Sequence, residues 1–415
     1  VTAQATLLLG ALPGETLDAA VGRMAALPAW RPFDDRAMCF VAAFSRRLAM
    51  DTAARPYPEL LALAHWFRGA RLRELAARQQ AGDAASFAVG RGLAFHLAPA
   101  NVDSIFMYSW LLSALAGNAN IVRVSQKPSP QVDRFVAALH ATLADPAVGH
   151  AMTGRLLLLT YPHEAEVTRA ISQAAQLRVV WGGDATVAAI RAIPLRPTAA
   201  ELVFPDRFSA AAFDAAAVLA ADDAGLVKLA GAFYNDAFWF AQQACSSPRV
   251  LHWVGSAADI DAAKARFWSA LGAELTRRAP DNTAAMTMAR VVAAFDYAAR
   301  GAVTVNEAPT GFPLRLHLQR PPDRELRDLH CGNGLFLEQS LASLATLAPQ
   351  LDDRDQTLAV FGFGPAELQA FAAALPPRAL DRIVPVGKAL EFDAVWDGVD
   401  LLAAFSRRVR ISSAT

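Results

Sequence analysis

Three cysteines, Cys39, Cys245 and Cys331, are the soft nucleophiles of the chain, and the surroundings of Cys245 are the most unusual. It lies in Gln243-Ala-Cys-Ser-Ser-Pro248. Before it, Phe233, Phe238, Trp239 and Phe240 recur at helical spacing. After it, Arg249-Val-Leu-His-Trp-Val254 reads as a strand. The thiol therefore falls where a helix ends and a strand begins, a place that can face a cleft between domains. Gln242 and Gln243 stand where a purely structural segment would be apolar. A thiolate here could attack an acyl thioester and keep the acyl group activated as a second thioester. The alternative is a buried structural cysteine, a common fate of free thiols. From this stretch alone the two readings stand level. Cys331, in the glycine-rich turn His330-Cys-Gly-Asn-Gly334, is the rival nucleophile, and Cys39 carries the structural expectation.

The rest of the chain must position that thiol. At 415 residues it is too long for one ordinary core, so two or three domains are expected. With 39 basic and 39 acidic residues the net charge is zero, which argues against nucleic acid as a partner and against charge-driven membrane attachment. No apolar run approaches bilayer-spanning length, so no integral membrane segment is expected. The N-terminus lacks the basic start of a secretory signal. The cysteines have neither metal-ligand nor disulfide-scaffold spacing, so no metal is expected, and a reducing cytoplasm is the simplest home.

Residues 1–90 carry helical periodicity over Leu17–Leu27, Asp35–Met50 and Leu60–Arg78. From Ser86 the period changes. Phe87 to Leu97 reads as a strand pair or one kinked strand, bent at Gly90 and Gly92. Then strand and helix alternate: helix Ser104–Ala116, strand Asn120–Val124, helix Gln131–Ala144, strand Arg155–Tyr161, helix Glu164–Ala175, strand Leu177–Trp181, helix Ala185–Ala192. That is the pattern of a parallel α/β sheet. Ligands of such sheets sit beyond the carboxyl ends of the strands. At one such end Gly182 and Gly183 would let helix N–H groups approach a phosphate, with Thr186 one turn on. At another, Arg123 and Lys127 flank Ser125 and Gln126, and the cations read either as ligands of an anion or as a solvated surface pair. Ala211–Ala221 and Gly225–Gln243 read as helices, and a second α/β unit follows from Val250.

Taken together, these segments carry a resemblance. The chain resembles the bioluminescence-type (LuxC-like) acyl-CoA reductases, a branch of the aldehyde dehydrogenase superfamily. Gln243–Pro248 is similar to that family's nucleophile segment. Leu97-Ala-Pro-Ala-Asn101 resembles the strand end that carries the superfamily's oxyanion asparagine. Gly117-Asn118 through Gln126 resembles its dinucleotide segment, and Arg382–Lys388 with Trp396-Asp-Gly398 and Ser406–Val409 its C-terminal signature. The resemblance spans roughly residues 85 to 410, in the right order. It implies an aldehyde dehydrogenase-like α/β fold: a Rossmann-type dinucleotide-binding domain with the N-terminal helices over 1–210, a thiol domain over 211–380, and a segment 381–415 returning to the domain interface. It implies Cys245 as acyl nucleophile, Asn101 as oxyanion donor, and a homo-oligomer, dimer or tetramer.

The implied reaction is NADPH-dependent reduction of an acyl thioester, on CoA or on an acyl carrier protein, to the aldehyde. The same chemistry reversed, a CoA-acylating aldehyde dehydrogenase, and a non-redox acyl carrier are the alternatives. Hydrolytic relatives carry a glutamate base upstream of the cysteine; at the matching distance this chain has Ala210–Ala212. Glu201, Asp206 and His252 are the nearest substitutes. Without a placed base, attack by water is slow and a thiol exchanges more readily. Asp184 stands where the superfamily usually has serine, which weakens the phosphate reading of the 182–184 turn. The segment that places a glutamate near the adenosine ribose reads Arg123-Val-Ser-Gln126 here. Replacing that carboxylate by an amide, with cations beside it, favours a 2′-phosphate and hence NADPH over NADH.

Overall fold

The structure, a computed structural model, describes residues 5–80, 86–98, 103–162, 164–305 and 309–412. Two compact units emerge, one of residues Val1–Pro205 with Phe392–Thr415 and one of residues Asp206–Glu391.

The first unit starts with the short strand β1 (Thr6–Leu9) and helices α1 (Leu17–Ala25), α2 (Asp35–Met50), α3 (Pro58–Trp66) and α4 (Gly69–Gln80). Thr16 and Asp34 cap the first two by accepting from Ala19 N and Arg36 N. Next come β2 (Ser86–Gly90), β3 (Leu93–Leu97), α5 (Asp103–Leu115), β4 (Ala119–Arg123), α6 (Pro130–Leu143), β5 (Leu156–Thr160), α7 (Ala165–Ala174), β6 (Leu177–Trp181), α8 (Asp184–Arg191) and β7 (Ala200–Phe204). The sheet runs β1-β5-β4-β3-β6-β7, parallel except for β1. A parallel sheet is covered on both faces, which is why β5 reads Leu156-Leu-Leu-Leu159 without alternation. From β3 the chain steps to β4 and β5, then returns to β6 on the other side of β3. The strand order thus reverses between β3 and β6, the place where open sheets bind ligands. The helix α5 ends at Leu115, and in the turn after it Gly117 has φ of +95° and a missing Cβ that would lie 2.2 Å from the Trp30 carbonyl oxygen. A polar group is satisfied inside this core: the His96 ring meets Ser109 Oγ at 3.1 Å and Asn120 Oδ1 at 3.0 Å.

The second unit contains β8 (Phe208–Asp214), α9 (Ala215–Ala220), α10 (Asp223–Phe238), β9 (Val250–Val254), α11 (Ala257–Arg278), α12 (Ala284–Ala299), β10 (Leu314–His317), α13 (Arg324–Asp328), β11 (Leu335–Leu341), β12 (Asp355–Phe361), α14 (Pro365–Ala373) and β13 (Arg382–Pro385). Its sheet, β10-β11-β9-β8-β12-β13, is wholly parallel. The helix expected over Ala211–Ala221 is corrected here. Phe208–Asp214 is a central strand, and only Ala215–Ala220 is helical. Alanine favours helix in isolation, but pairing with β9 and β12 outweighs a propensity of a few tenths of a kcal/mol per residue. The small side chains of Ala210, Ala211 and Ala212 are buried there. Asp214 ends the strand and caps α9, accepting from Ala216 N at 2.8 Å. The helix expected to reach Gln243 stops at Phe238.

The tail, β14 (Val395–Trp396), β15 (Val399–Asp400), α15 (Leu401–Phe405) and β16 (Ser406–Arg410), belongs to the first unit. There β16 pairs antiparallel with β2, Ser406 opposite Gly90, so β2 and β3 are two strands of different sheets. Among the described residues no helix is long and apolar enough to cross a membrane.

Candidate active site

In the second unit Cys245 sits in the loop between α10 and β9, as its helix-to-strand position predicts. The loop is built by reversal. After Phe233 and Phe238 bury into the core, Ala241 and Gln242 adopt φ of 46° and 66°, a costly region for non-glycine residues. Gln242 holds that reversal. Its buried amide donates to the Pro248 and Leu335 carbonyls, both at 2.8 Å, and accepts from Gly334 N at 3.0 Å. Gln243 donates to the Cys331 carbonyl at 2.9 Å. Both glutamines therefore tie the Cys245 loop to the turn 330–334, which is why they are not apolar.

Cys245 itself is half-buried and is gripped at two atoms. Ser209 Oγ, at the start of β8, donates to its carbonyl at 2.7 Å. Gln356 Nε2, at the start of β12, donates to its sulfur at 3.4 Å. The thiol thus lies at the amino ends of β8, β9 and β12. Arg249, four residues on, is a nearby cation. Burial pulls its guanidinium below the usual range, and attraction to ionised Cys245 is the leading opposing effect, followed by Tyr297 and Asp206.

Cys331 has a different setting. Burial pushes its thiol up, with backbone hydrogen bonding and the cations Arg290 and Arg249 only partly opposing this. Its Sγ donates to the Gly332 carbonyl at 3.5 Å. Cys39 is exposed on α2. The three substitutes for a general base have different settings. Glu201 pairs with Arg178 at 2.6 Å and with Arg191 at 3.3 Å. Burial lowers His252 to about 4, so it is neutral, and it lines a small cavity of about 10 Å³ with Arg327 and Asp355. Asp206 is exposed and acts on Arg249.

In the first unit, the other candidates gather along the carboxyl edge of the sheet. Arg123 ends β4 and Gly182 follows β6, with β3 between them. At neighbouring-strand spacings of about 4.8 Å the two strand ends are about 10 Å apart. Gly183 is the N-cap residue of α8 and supplies no side-chain cap, and the start of a helix favours a negative charge. Thr186 lies over Gly182, 3.1 Å from where a Cβ would be. Trp181 stacks on Phe204 at 3.8 Å, closing the base of that edge. Arg123 donates to the Tyr161 carbonyl at 3.2 Å and covers its ring. Ser125 Oγ accepts from Lys127 N at 3.1 Å, and Gln126 and Lys127 are exposed. Asn101 lies outside the described residues. Among the described residues no cluster of His, Cys, Asp and Glu could hold a metal ion.

Sequence reading missed Ser209, Gln356 and the role of Arg249. Arg249 was visible as a charge beside the Cys245 segment. Ser209 and Gln356 had no signal, since only the strand order brings them to the thiol.

The sequence matches the profile of the acyl-CoA reductase (LuxC) family over residues 69–294, more than half of the chain. No curated protein is a significant match. Solved aldehyde dehydrogenases share the fold at low identity. Aldehyde dehydrogenase 21 from Physcomitrella patens aligns with a TM-score of 0.66 at 10% identity, covering 95% of this chain and 89% of that one. An NAD-dependent aldehyde dehydrogenase from Sinorhizobium meliloti gives 0.66 at 11%, covering 96% and 87%. Lactaldehyde dehydrogenase from Escherichia coli gives 0.63 at 13%, covering 95% and 88%.

Proposed function

Because the chain belongs to the acyl-CoA reductase (LuxC) family and is an aldehyde-forming oxidoreductase, we propose that it carries the acyl group on Cys245 and uses NADPH. One observation carries the choice of thiol. The Cys245 sulfur accepts a hydrogen bond from the side-chain amide of Gln356 on a neighbouring strand, whereas the Cys331 sulfur donates its own to the Gly332 carbonyl. Cys331 is held up as a neutral thiol by burial.

The chain's own groups act as follows. Ser209 fixes the Cys245 main chain, and Arg249 supplies positive charge toward the thiolate. The sulfur bonds to the acyl carbonyl carbon as the thiol of the donor leaves. Asn101 and the Cys245 N–H are the proposed oxyanion donors, a type of contact worth about a hundredfold or more in turnover. With alanine at 210–212 and Glu201 in ion pairs, neither position supplies a free carboxylate to activate water, which favours a persistent acyl-enzyme.

The start of α8, where Gly183 brings no side chain, fits the phosphates of a dinucleotide, with Gly182, Gly183 and Thr186 around them. Ser125, Gln126 and Lys127 with the remaining donors of Arg123 would receive the ribose and its 2′-phosphate. When bound, that cofactor supplies hydride. The same reading includes a donor on CoA or a carrier protein and a homo-oligomer, dimer or tetramer, which sedimentation tests.

The deciding assay follows aldehyde formation from acyl-CoA and NADPH. Cys245→Ala should lose at least about a thousandfold, and Cys331→Ala should stay within about threefold. Retained activity in Cys245→Ala, with loss in Cys331→Ala, would transfer the role to Cys331.

A further inference from the structure

We propose that Gln356 is a catalytic residue of the acyl-transfer step, its carboxamide N–H holding the Cys245 sulfur as a thiolate. The inference rests on the reading of Cys245 as nucleophile. It begins with an irregularity in the sheet. Asp355 pairs with Phe208, but Leu358 pairs with Ala210, so β12 carries one residue more than β8 across this interval. A bulge of this kind re-aims a side chain. The extra length falls at Gln356–Thr357. Thr357 N donates to Ser209 Oγ at 3.3 Å, and that same hydroxyl donates to the Cys245 carbonyl. The bulge and the nucleophile are thus fixed to each other. Gln356 is fully buried, its carbonyl accepts from Asp381 N at 3.0 Å, and its Nε2 reaches the sulfur.

The chemistry follows from the donor type. A neutral amide cannot deprotonate the thiol, so the proton leaves to water. The donated hydrogen bond strengthens once the sulfur is charged. The thiolate then forms the new S–C bond to the acyl carbonyl carbon. The donor's C–S bond breaks, and its sulfur departs with the electron pair and takes a proton from solvent. Gln356 supplies direction where Arg249 supplies charge. The other charged and titratable groups around Arg249 are Asp206 before β8, Arg354 before β12, and Tyr297 on α12. The turn on the far side contributes His330, which is buried and neutral, and Cys331.

The test uses full-length protein and the pH profile of two reactions at Cys245: alkylation by iodoacetamide and acylation by acyl-CoA without reductant, both read by peptide mass spectrometry. Gln356→Met keeps length and removes the donor. Gln356→Glu keeps shape and adds a like charge. Acylation at neutral pH should fall about tenfold to a hundredfold in Met and further in Glu. The alkylation midpoint should rise by about one to two pH units, most in Glu. Midpoints within about 0.3 units of wild type in either folded variant would overturn the proposal. If Met fails to fold, Glu alone decides. No adduct on Cys245 in wild type would instead overturn the reading of the nucleophile.

Discussion

The two units prepare for negative charge in opposite ways. In the first, the candidate ligand edge lies at the carboxyl ends of the strands, beside a helix start whose N-cap residue is a glycine. In the second, the thiol lies at the amino ends of β8, β9 and β12, and its partners are side chains: Ser209, Gln356 and Arg249. In the function proposed above, the first surface would receive an anion that arrives, and the second would stabilise an anion it makes itself. A main-chain site can be read from a local turn, whereas a side-chain site depends on which strands become neighbours.

The sharpest way to break that division is one charge in the first unit. Gly183 has φ of −61°, which any residue adopts, and aspartate is a good N-cap. Gly183→Asp should therefore fold and repel phosphate. KM for NADPH should rise more than about tenfold, while acylation of Cys245 without cofactor stays within about twofold. Equal loss of both would mean that the two functions are not separable.

Next in size is the staple under the thiol. Gln242→Ala leaves two carbonyls and one N–H without their partner and should cost about 2–4 kcal/mol by urea unfolding. A loss below about 0.5 kcal/mol would show that the left-handed turn at 241–242 holds without it.

Gln126→Glu restores the carboxylate that repels a 2′-phosphate. It should lower the NADPH over NADH ratio of kcat/KM by about tenfold. An unchanged ratio would remove this segment from cofactor choice.

The smallest effect is a pH signature of opposite sign at two buried groups. Burial lowers His96 in the first unit from 6.5 to about 4. The unfolded chain then binds the extra proton, so its contribution to stability is lost as pH falls from 6.5 to 4. Burial raises Asp236 in the second unit from 3.8 to about 7, against hydrogen bonds from Gly387 N and Ala389 N. Here the folded chain binds the extra proton, so stability is lost as pH rises from about 4 to 7. Melting temperatures of His96→Gln and Asp236→Asn relative to wild type should drift in opposite directions across that window, by a few degrees, roughly. Drifts of the same sign would contradict the assignment.

These contrasts also explain what could be read in advance. The strands and helices from Asn120 to Ala192 fall within a residue or two of expectation, because each is an unbroken apolar run or an amphipathic helix between turns. Leu177–Trp181 is matched end to end, and the strand expected over Arg249–Val254 starts one residue later, at Val250. The strand Phe208–Asp214 was hidden by its alanines, whose propensity points to helix until two parallel neighbours claim them. The place of Cys245 between a helix and a strand was legible from the pattern on either side of it. Gln356 was not, because 111 positions separate it from the thiol and only a bulge in β12 turns it there.

The most direct test of the account is to trap the acyl group. Protein incubated with acyl-CoA and no reductant, then digested and sequenced by mass spectrometry, should carry one acyl group per chain on Cys245, released as aldehyde when NADPH is added. An acyl group on Cys331, or stoichiometric aldehyde from a Cys245→Ala chain, would contradict it.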